Sequence, residues 1–413
     1  MWRPLRRTLI LATTLLPLAG CASASRAPAV GRVPVAPTAA VATTGSATAC
    51  DAVVASTLAG IGRRIYAQAA HGRNVVAAVR RLRRSRALAG AVGRGDPAAT
   101  RAALVPLLKH QIRRISITRG SRVLAQIAGP QALAPVHGVL RNAAGRPVGR
   151  YVLSVSDASA IAEITSTLTG ADVTITSGGR TLQRATAAGA TGHATRTVSY
   201  RATAFPRGAL RVALALRPAA PTVCAPTSRG TAAQVVGAVG ERLVQTEAHG
   251  AAVQRVLRVV ATDPQLRAAV AHDDGATLRT AIVRLFGNRT LHVVRVRATT
   301  TGGRLVGDVG GPYVLSPASR TVRGATGRPL GTVTLAIQDD TGYIKLMHRF
   351  TGADVLLRTG AGPVPGSSLA PGPATIPARG AVTYRGRRFD AYRFTARAFP
   401  HGPLTVALLL PQT

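Results

Sequence analysis

The stretch 337–355, IQDDTGYIKLMHRFTGADV, gathers Asp339, Asp340, Tyr343, Lys345 and Arg349 within one short segment. Such side chains hold small polar molecules. A carboxylate accepts hydrogen bonds from an amine, Lys or Arg holds a carboxylate, and tyrosine supplies apolar area with a hydroxyl. Upstream, Asp308 and Tyr313 extend the set. The chemistry they suit is recognition of a zwitterion or an organic acid. Acid–base catalysis fits less well. Asp339 and Asp340 are adjacent, and neighbours on an extended strand point to opposite faces. The competing reading is structural: the two aspartates cap the helix that follows, Lys345 points to water, and Tyr343, Met347 and Phe350 form a core stripe at helical spacing.

The same segment occurs earlier in plainer form. Residues 155–173 read VSDASAIAEITSTLTGADV, with one apolar skeleton and a shared ending. Aligned without gaps, Asp340 faces Ala158, Tyr343 faces Ile161, Lys345 faces Glu163 and Arg349 faces Thr167, while Asp339 keeps its partner Asp157. Asp308 faces Gln126 and Tyr313 faces Gln131. Further matches run in the same order. YAQAAHG at 66–72 answers QTEAHG at 245–250, and GDPAATRAAL at 95–104 answers DDGATLRTAI at 273–282. GPQALAPVHGVLRNAAGRPVG at 129–149 answers GPYVLSPASRTVRGATGRPLG at 311–331, and AFPRGALRVALAL at 204–216 answers AFPHGPLTVALLL at 398–410. Ordered matches over this length mean a tandem duplication. Each copy is large enough to bury a core of its own. The extra acids, phenol and cations of the second copy predict that it carries a polar ligand pocket and that the first is a scaffold without one.

Periodicity sets the elements that position these residues. Val53, Val54, Leu58, Ile61 and Ile65, and in the second copy Val235, Val236, Val239, Leu243 and Val244, recur at helical spacing. Further helices end near LVPLLKH and AIVRLFG, with Asp96 and Asp274 as N-caps. Strands follow. LHVVRVRATTTGGRLVGDVG reads as a Gly-linked hairpin and GRPLGTVTLAIQD as a long alternating strand; a short helix spans TGYIKLMHRF, and ADVLLRTG, VTYRGRRFDAYRFTARAF and LTVALLL close the sheet. Residues 359–380 are a Gly/Pro loop found in the second copy alone. Asp172 and Asp354, alike in the two copies, are read as caps of the turn before the next strand. His71 and His249, each before a Gly, are read as cations at a helix end with a left-handed glycine cap rather than as metal ligands.

The amino terminus predicts the compartment. MWRPLRR is basic, TLILATTLLPLAG is apolar but short for a membrane span, and Cys21 follows. Leu18-Ala19-Gly20-Cys21 resembles the bacterial lipobox, which implies cleavage of 1–20 and lipid on Cys21; the alternative is an ordinary secretory signal. Several acyl chains at about 0.8 kcal/mol per buried CH₂ make a stable anchor. Residues 21–48 read as a flexible tether. Outside the cytoplasm, Cys50 and Cys224 are expected to form a disulfide, with free thiols as the alternative. The net charge of +38 arises almost wholly from Arg, with Lys at 109 and 345 alone. Aromatics are scarce, so the stacking platform of a single-strand nucleic-acid binder is lacking and no nucleic-acid partner is expected. The charge favours anionic headgroups or wall polymers, in a salt-dependent way.

Helices first, then antiparallel strands interrupted by one short helix, in an exported and tethered chain: this order resembles the Cache domains, the PAS-like extracytoplasmic sensor modules. The resemblance implies an α+β fold of two tandem domains, 49–217 and 226–411, joined by a linker at 218–225. It places a ligand against the sheet under residues 337–350 and near the preceding hairpin, and so implies Asp308, Tyr313, Asp339, Asp340, Tyr343, Lys345 and Arg349 as contacts. It implies a sensory or ligand-presenting lipoprotein that binds an amino acid or organic acid through the second domain and passes its state to a separate membrane protein, without a cofactor. A structural or interaction lipoprotein is the alternative. Gly-x-Ser-x-Gly, HExxH and Walker signatures are missing from the sequence, so an enzyme is not expected.

Overall fold

The computed structural model describes residues 44–108, 112–127, 129, 131–188, 193–217, 223–288 and 291–412. The lipobox, Cys21 and most of the tether lie outside the described residues, as do Lys109 and 218–222 of the linker. The first repeat begins with four helices, α1 (Thr44–His71), α2 (Arg73–Arg84), α3 (Arg86–Arg94) and α4 (Pro97–Leu108). Strands β1 (Arg114–Arg119), β2 (Arg122–Ile127), β3 (Ala132–Leu133), β4 (Val136–Arg141), β5 (Pro147–Ser154) and β6 (Ser156–Asp157) follow. Then come α5 (Ala158–Thr169), β7 (Asp172–Ser177), β8 (Arg180–Ala185), β9 (Arg196–Thr203) and β10 (Ala209–Leu216). Helix α1 begins inside the stretch read as tether, where Ala and Thr offer no helix breaker beyond Gly45.

The second repeat retraces this path with α6 (Ser228–His249), α7 (Ala251–Ala261), α8 (Pro264–His272) and α9 (Gly275–Gly287), then β11 (Arg295–Thr300), β12 (Leu305–Gly310), β13 (Ala318–Arg323) and β14 (Pro329–Ala336). Helix α10 (Asp340–Thr351) leads to β15 (Asp354–Thr359), β16 (Gly362–Pro363), β17 (Arg379–Tyr384), β18 (Arg387–Arg397) and β19 (Pro403–Pro411). The fold is α+β, as expected, and the short helix does more than interrupt a sheet. It separates two sheets in each repeat, ordered β2-β1-β5-β4 and β8-β7-β10-β9, then β12-β11-β14-β13 and β16-β15-β19-β18-β17. The matching strand orders carry the duplication into the structure.

Caps account for many of the helix starts. Asp157, Asp263, Asp274 and Asp339 each accept from a backbone N–H of their own helix's first turn, and Asp96 accepts from Ala99 N at 3.0 Å. Gly170 and Gly352 end α5 and α10 in the left-handed conformation, at φ 67° and 80°. The expectation for Gly72 and Gly250 is corrected: both are extended, at φ −68° and −65°, and begin the next helix. A Cβ there would stand about 2.5 Å from the carbonyl oxygens of Gln68 and Thr246, so close backbone approach selects glycine at both places. Asp172 is structural but caps no turn; it accepts from Ala187 N at 2.9 Å and pairs with Arg217 at 3.1 Å. Asp354 lies 3.6 Å from His348 Nδ1.

The two repeats do not bury separate cores throughout. Helices α2–α4 close over the β1–β5 sheet around Leu82, Leu88, Leu104 and Ile115, and α7–α9 close over the β11–β14 sheet around Val260, Leu266, Ile282 and Val296. The remaining halves merge. Ile61, Ile65, Ile161 and Val212 of the first repeat share one continuous core with Val239, Tyr343, Met347 and Val406 of the second. Helix α1 packs on α6 and α10, and α5 packs on α6. The crossing is reciprocal: Arg242 of α6 donates to Leu168 O at the end of α5 at 3.1 Å, and its counterpart Arg64 of α1 reaches Gly352 at the end of α10. The expected disulfide between Cys50 and Cys224 is formed and ties the start of α1 to the segment entering α6.

The Gly/Pro loop at 359–380 is a lid on the outer face of the second repeat's last sheet. Ile376 and the half-buried Leu369 cover Leu356, Phe389, Ala407 and Leu409. At the first two positions the first repeat has Thr174 and Thr195, a polar face that needs no cover. Arg358 fixes the loop by donating to the carbonyls of Pro371, Pro373 and Ala374.

Candidate functional site

The acids and phenols of 308–343 lie about the link that carries the chain from β12 to β13, the two edge strands of one sheet of the second repeat. Asp308, on β12, receives Arg295 of the neighbouring strand β11 in a two-pronged pair, Nε at 2.9 Å and Nη2 at 2.8 Å, with Arg297 at 3.5 Å. Arg295 also donates to Tyr313 O at 2.9 Å and stacks on the Phe399 ring. Asp340, only 3 % exposed, accepts from Val314 N at 3.1 Å and from Leu315 N at 2.9 Å. Burial pushes its carboxyl above the ordinary range, and these amide bonds pull the other way. Asp339 caps α10 through Gly342 N. Tyr343 is fully buried, and its hydroxyl donates to Gly240 O of α6 at 3.2 Å. Burial raises its phenol beyond any ordinary titration.

The first repeat solves the same problems with other residues. Its link from β2 to β4 is pinned by Tyr66 of α1, whose hydroxyl accepts from Ala134 N at 3.0 Å and from Thr203 N at 2.9 Å, and by pairing of β3 with β6. Gly62 O, the counterpart of Gly240 O, accepts from Tyr200 of β9 at 3.0 Å. Arg113, the counterpart of Arg295, lies 3.6 Å from Asp157. The richer dress of 337–355 is therefore largely a second set of internal fastenings. This differs from the expectation that all the named side chains face one hollow, and for Asp340 and Tyr343 the reason is burial: an acid or phenol inside a core must be hydrogen-bonded, and these two are bonded to their own chain.

Lys345 and Arg349 stand apart. One helical turn from each other on α10, they line a cleft of about 510 Å³ between the repeats. Gln68, Arg73 and Asn74, from the α1–α2 junction, form its opposite wall, and Ile161, Ile164, Leu346 and Phe350 supply apolar lining. Its lining holds Arg73, Lys345 and Arg349 and includes no carboxylate. Asp308, Tyr313, Asp339, Asp340 and Tyr343 do not line it. Three cations over an apolar floor attract a compact anion with a hydrocarbon part. Gln68, Arg73 and Asn74 were not legible as partners of α10, since only the crossing of the repeats brings the α1–α2 junction opposite Lys345. Among the described residues, no group of three or more His, Cys, Asp or Glu is placed to hold a metal ion, and no helix is long and apolar enough to cross a membrane.

No protein-family model matches this chain, and no curated protein matches it. Among solved structures, it is similar to the periplasmic domain of Vibrio cholerae LuxQ, at 12 % identity over 44 % of this chain and 100 % of that one, with a TM-score of 0.31. The ligand-binding domain of the Pseudomonas fluorescens chemoreceptor CtaA, in complex with L-alanine, matches 43 % of this chain and 94 % of that one at 10 % identity and a TM-score of 0.25. The ligand-binding domain of the Pseudomonas aeruginosa PAO1 amino acid chemoreceptor PctC, in complex with GABA, matches 42 % of this chain and 96 % of that one at 15 % identity and a TM-score of 0.24. Similarity at these scores assigns the chain neither a fold nor a ligand.

Proposed function

We propose that this protein is a Cache-like lipoprotein of the bacterial envelope, anchored through Cys21 outside the cytoplasmic membrane, that binds a small organic acid in the cleft between its repeats. Lys345 and Arg349 hold the acid group together with Arg73, and Ile161, Ile164, Leu346 and Phe350 take the hydrocarbon part. The observation that carries this reading is the concentration of those three cations, without an acid among the lining residues, over an apolar floor. Guanidinium binds carboxylate in a two-pronged geometry that ammonium does not match, so Arg349 orients the ligand and Lys345 adds charge. Because the cleft has walls from both repeats, occupancy biases their packing, and a separate membrane protein reads that packing.

The test is a thermal-shift and calorimetric screen of the delipidated protein against mono- and dicarboxylates. Ligand at 100 times Kd adds about 2.7 kcal/mol to the stability of the folded state. Lys345→Ala with Arg349→Ala abolishes the shift if the cleft is the site; a shift that survives both moves the ligand elsewhere. Replacement of Cys21 by Ser tests the anchor, by release of the protein from the membrane fraction.

The burial of Tyr343 and the closed bonding of Asp308 and Asp340 favour a second reading: a structural or interaction lipoprotein that takes no small molecule and contacts wall polymer or another protein. Absence of any hit in the carboxylate screen selects it.

A further inference from the structure

Asp390 lies on β18, on the strand face that also carries Tyr392, whose ring packs against Gly237 of α6. It is one of the few buried carboxylates, 8 % exposed, and its Oδ2 accepts from Gln412 Nε2 at 3.0 Å. Around it is a cavity of about 470 Å³ between strands β17–β18 and the first turns of α6, lined among others by Gln234, Arg379, Arg388 and Gln412. Arg379 is held in place there. It stacks 3.4 Å above the Tyr392 ring, and its Nη1 donates to Ala378 O at 2.8 Å and Arg393 O at 3.1 Å. Arg388 is exposed. The first repeat has Arg196 where the second has Asp390, and Arg196 is exposed.

We propose that this cavity is a second binding site, separate from the inter-repeat cleft, and that it takes small amphoteric molecules with an ammonium group at one end and a carboxylate at the other. A buried carboxylate draws an ammonium, because desolvation strengthens the pair that forms there. Arg379, already fixed by stacking, meets a carboxylate with little further loss of side-chain freedom. Gln234 and Gln412 offer amides that donate to or accept from either end. An acid facing cations across one small space selects against molecules with a single charge: a simple amine leaves the arginines unanswered, and a simple acid meets Asp390.

The experiment is calorimetric titration of the full-length protein in detergent with ω-amino acids from glycine to 6-aminohexanoate, with methylamine and acetate as single-charge controls. One or more members of the series bind, and in the Lys345→Ala, Arg349→Ala protein, where the cleft is disabled, the controls bind at least about tenfold more weakly. Asp390→Asn keeps the shape and the Gln412 contact but removes the charge, and weakens the best member at least about tenfold. Arg388→Ala, at an exposed position, weakens it as well, and decides the matter if Asp390→Asn does not fold. Lys345→Ala with Arg349→Ala leaves these affinities unchanged, which separates this site from the cleft. The proposal is overturned if no member binds, if acetate or methylamine binds the Lys345→Ala, Arg349→Ala protein as well as the best amino acid does, or if affinity survives Asp390→Asn or Arg388→Ala.

Discussion

The hydroxyl of Tyr343 on α10 donates to the carbonyl oxygen of Gly240 on α6, 3.2 Å away in a fully buried place. The relationship is one of packing as well as bonding. A Cβ at Gly240 would stand 2.5 Å from Leu408 Cδ1 and 3.0 Å from the Tyr343 oxygen, so the glycine makes room for the ring that bonds it. Tyr343→Phe is expected to cost about 1 kcal/mol, the net worth of one hydrogen bond. Tyr343→Ile, the residue of the first repeat, leaves a void and costs about 3 kcal/mol or more. Urea unfolding reads both. Since Tyr343 does not line the cleft, carboxylate affinity survives either change.

Asp340 gives the second expectation. Its carboxylate satisfies the amides of Val314 and Leu315, which lie in the link between β12 and β13, the two edge strands of one sheet. Asp340→Ala, again the residue of the first repeat, strips two donors of their acceptor at once. A loss of about 2 kcal/mol or more is expected, without a change in cleft affinity. A variant as stable as the parent shows that water or a shifted backbone answers those amides.

Much of the fold was legible in the residues. Strict alternation in GRPLGTVTLAIQD, the N-cap aspartates and the ordered internal matches carry directly into β14, the helix starts and the duplicated strand order. The merging of the two inner halves was not legible. Ile61 and Val239 sit on ordinary apolar stripes, and a stripe records that a face is buried without recording which repeat buries it. The candidate site suffered from the same gap. Asp340 and Tyr343 looked like ligand groups because their counterparts are Ala158 and Ile161, yet the first repeat performs the matching tasks with Tyr66 and Tyr200, far from those positions in sequence. A difference between aligned residues marked a relocated fastening.

Glu247, near the end of α6, yields a pH expectation. Burial pushes its carboxyl above the ordinary value. The folded state thus takes up a proton at a higher pH than the unfolded chain does. The charged form is a penalty on folding, present in full above the folded pKa and relieved as pH falls through it toward the unfolded value. Glu247→Gln is expected to melt higher than the parent at pH 7, and the gap is expected to close as the pH drops toward 4. A gap that is constant with pH assigns the effect to shape rather than to charge.

The disulfide between Cys50 and Cys224 spans 174 residues and joins the leading ends of two repeats that already share a core. Its removal acts mainly on the unfolded chain, where it frees a long loop. Replacing both cysteines with serine is expected to lower stability by about 2–5 kcal/mol. The form of the transition is the sharper measurement. If the inner halves are one cooperative body, as the interleaving of α1, α5, α6 and α10 requires, calorimetry shows their melting shift downward together. Were the repeats independent, the variant would separate into one transition for each repeat, and the shared core would have to be abandoned. Reduction of the parent protein by a thiol reagent should reproduce the variant's melting profile, because either route leaves the same contacts and removes the same cross-link.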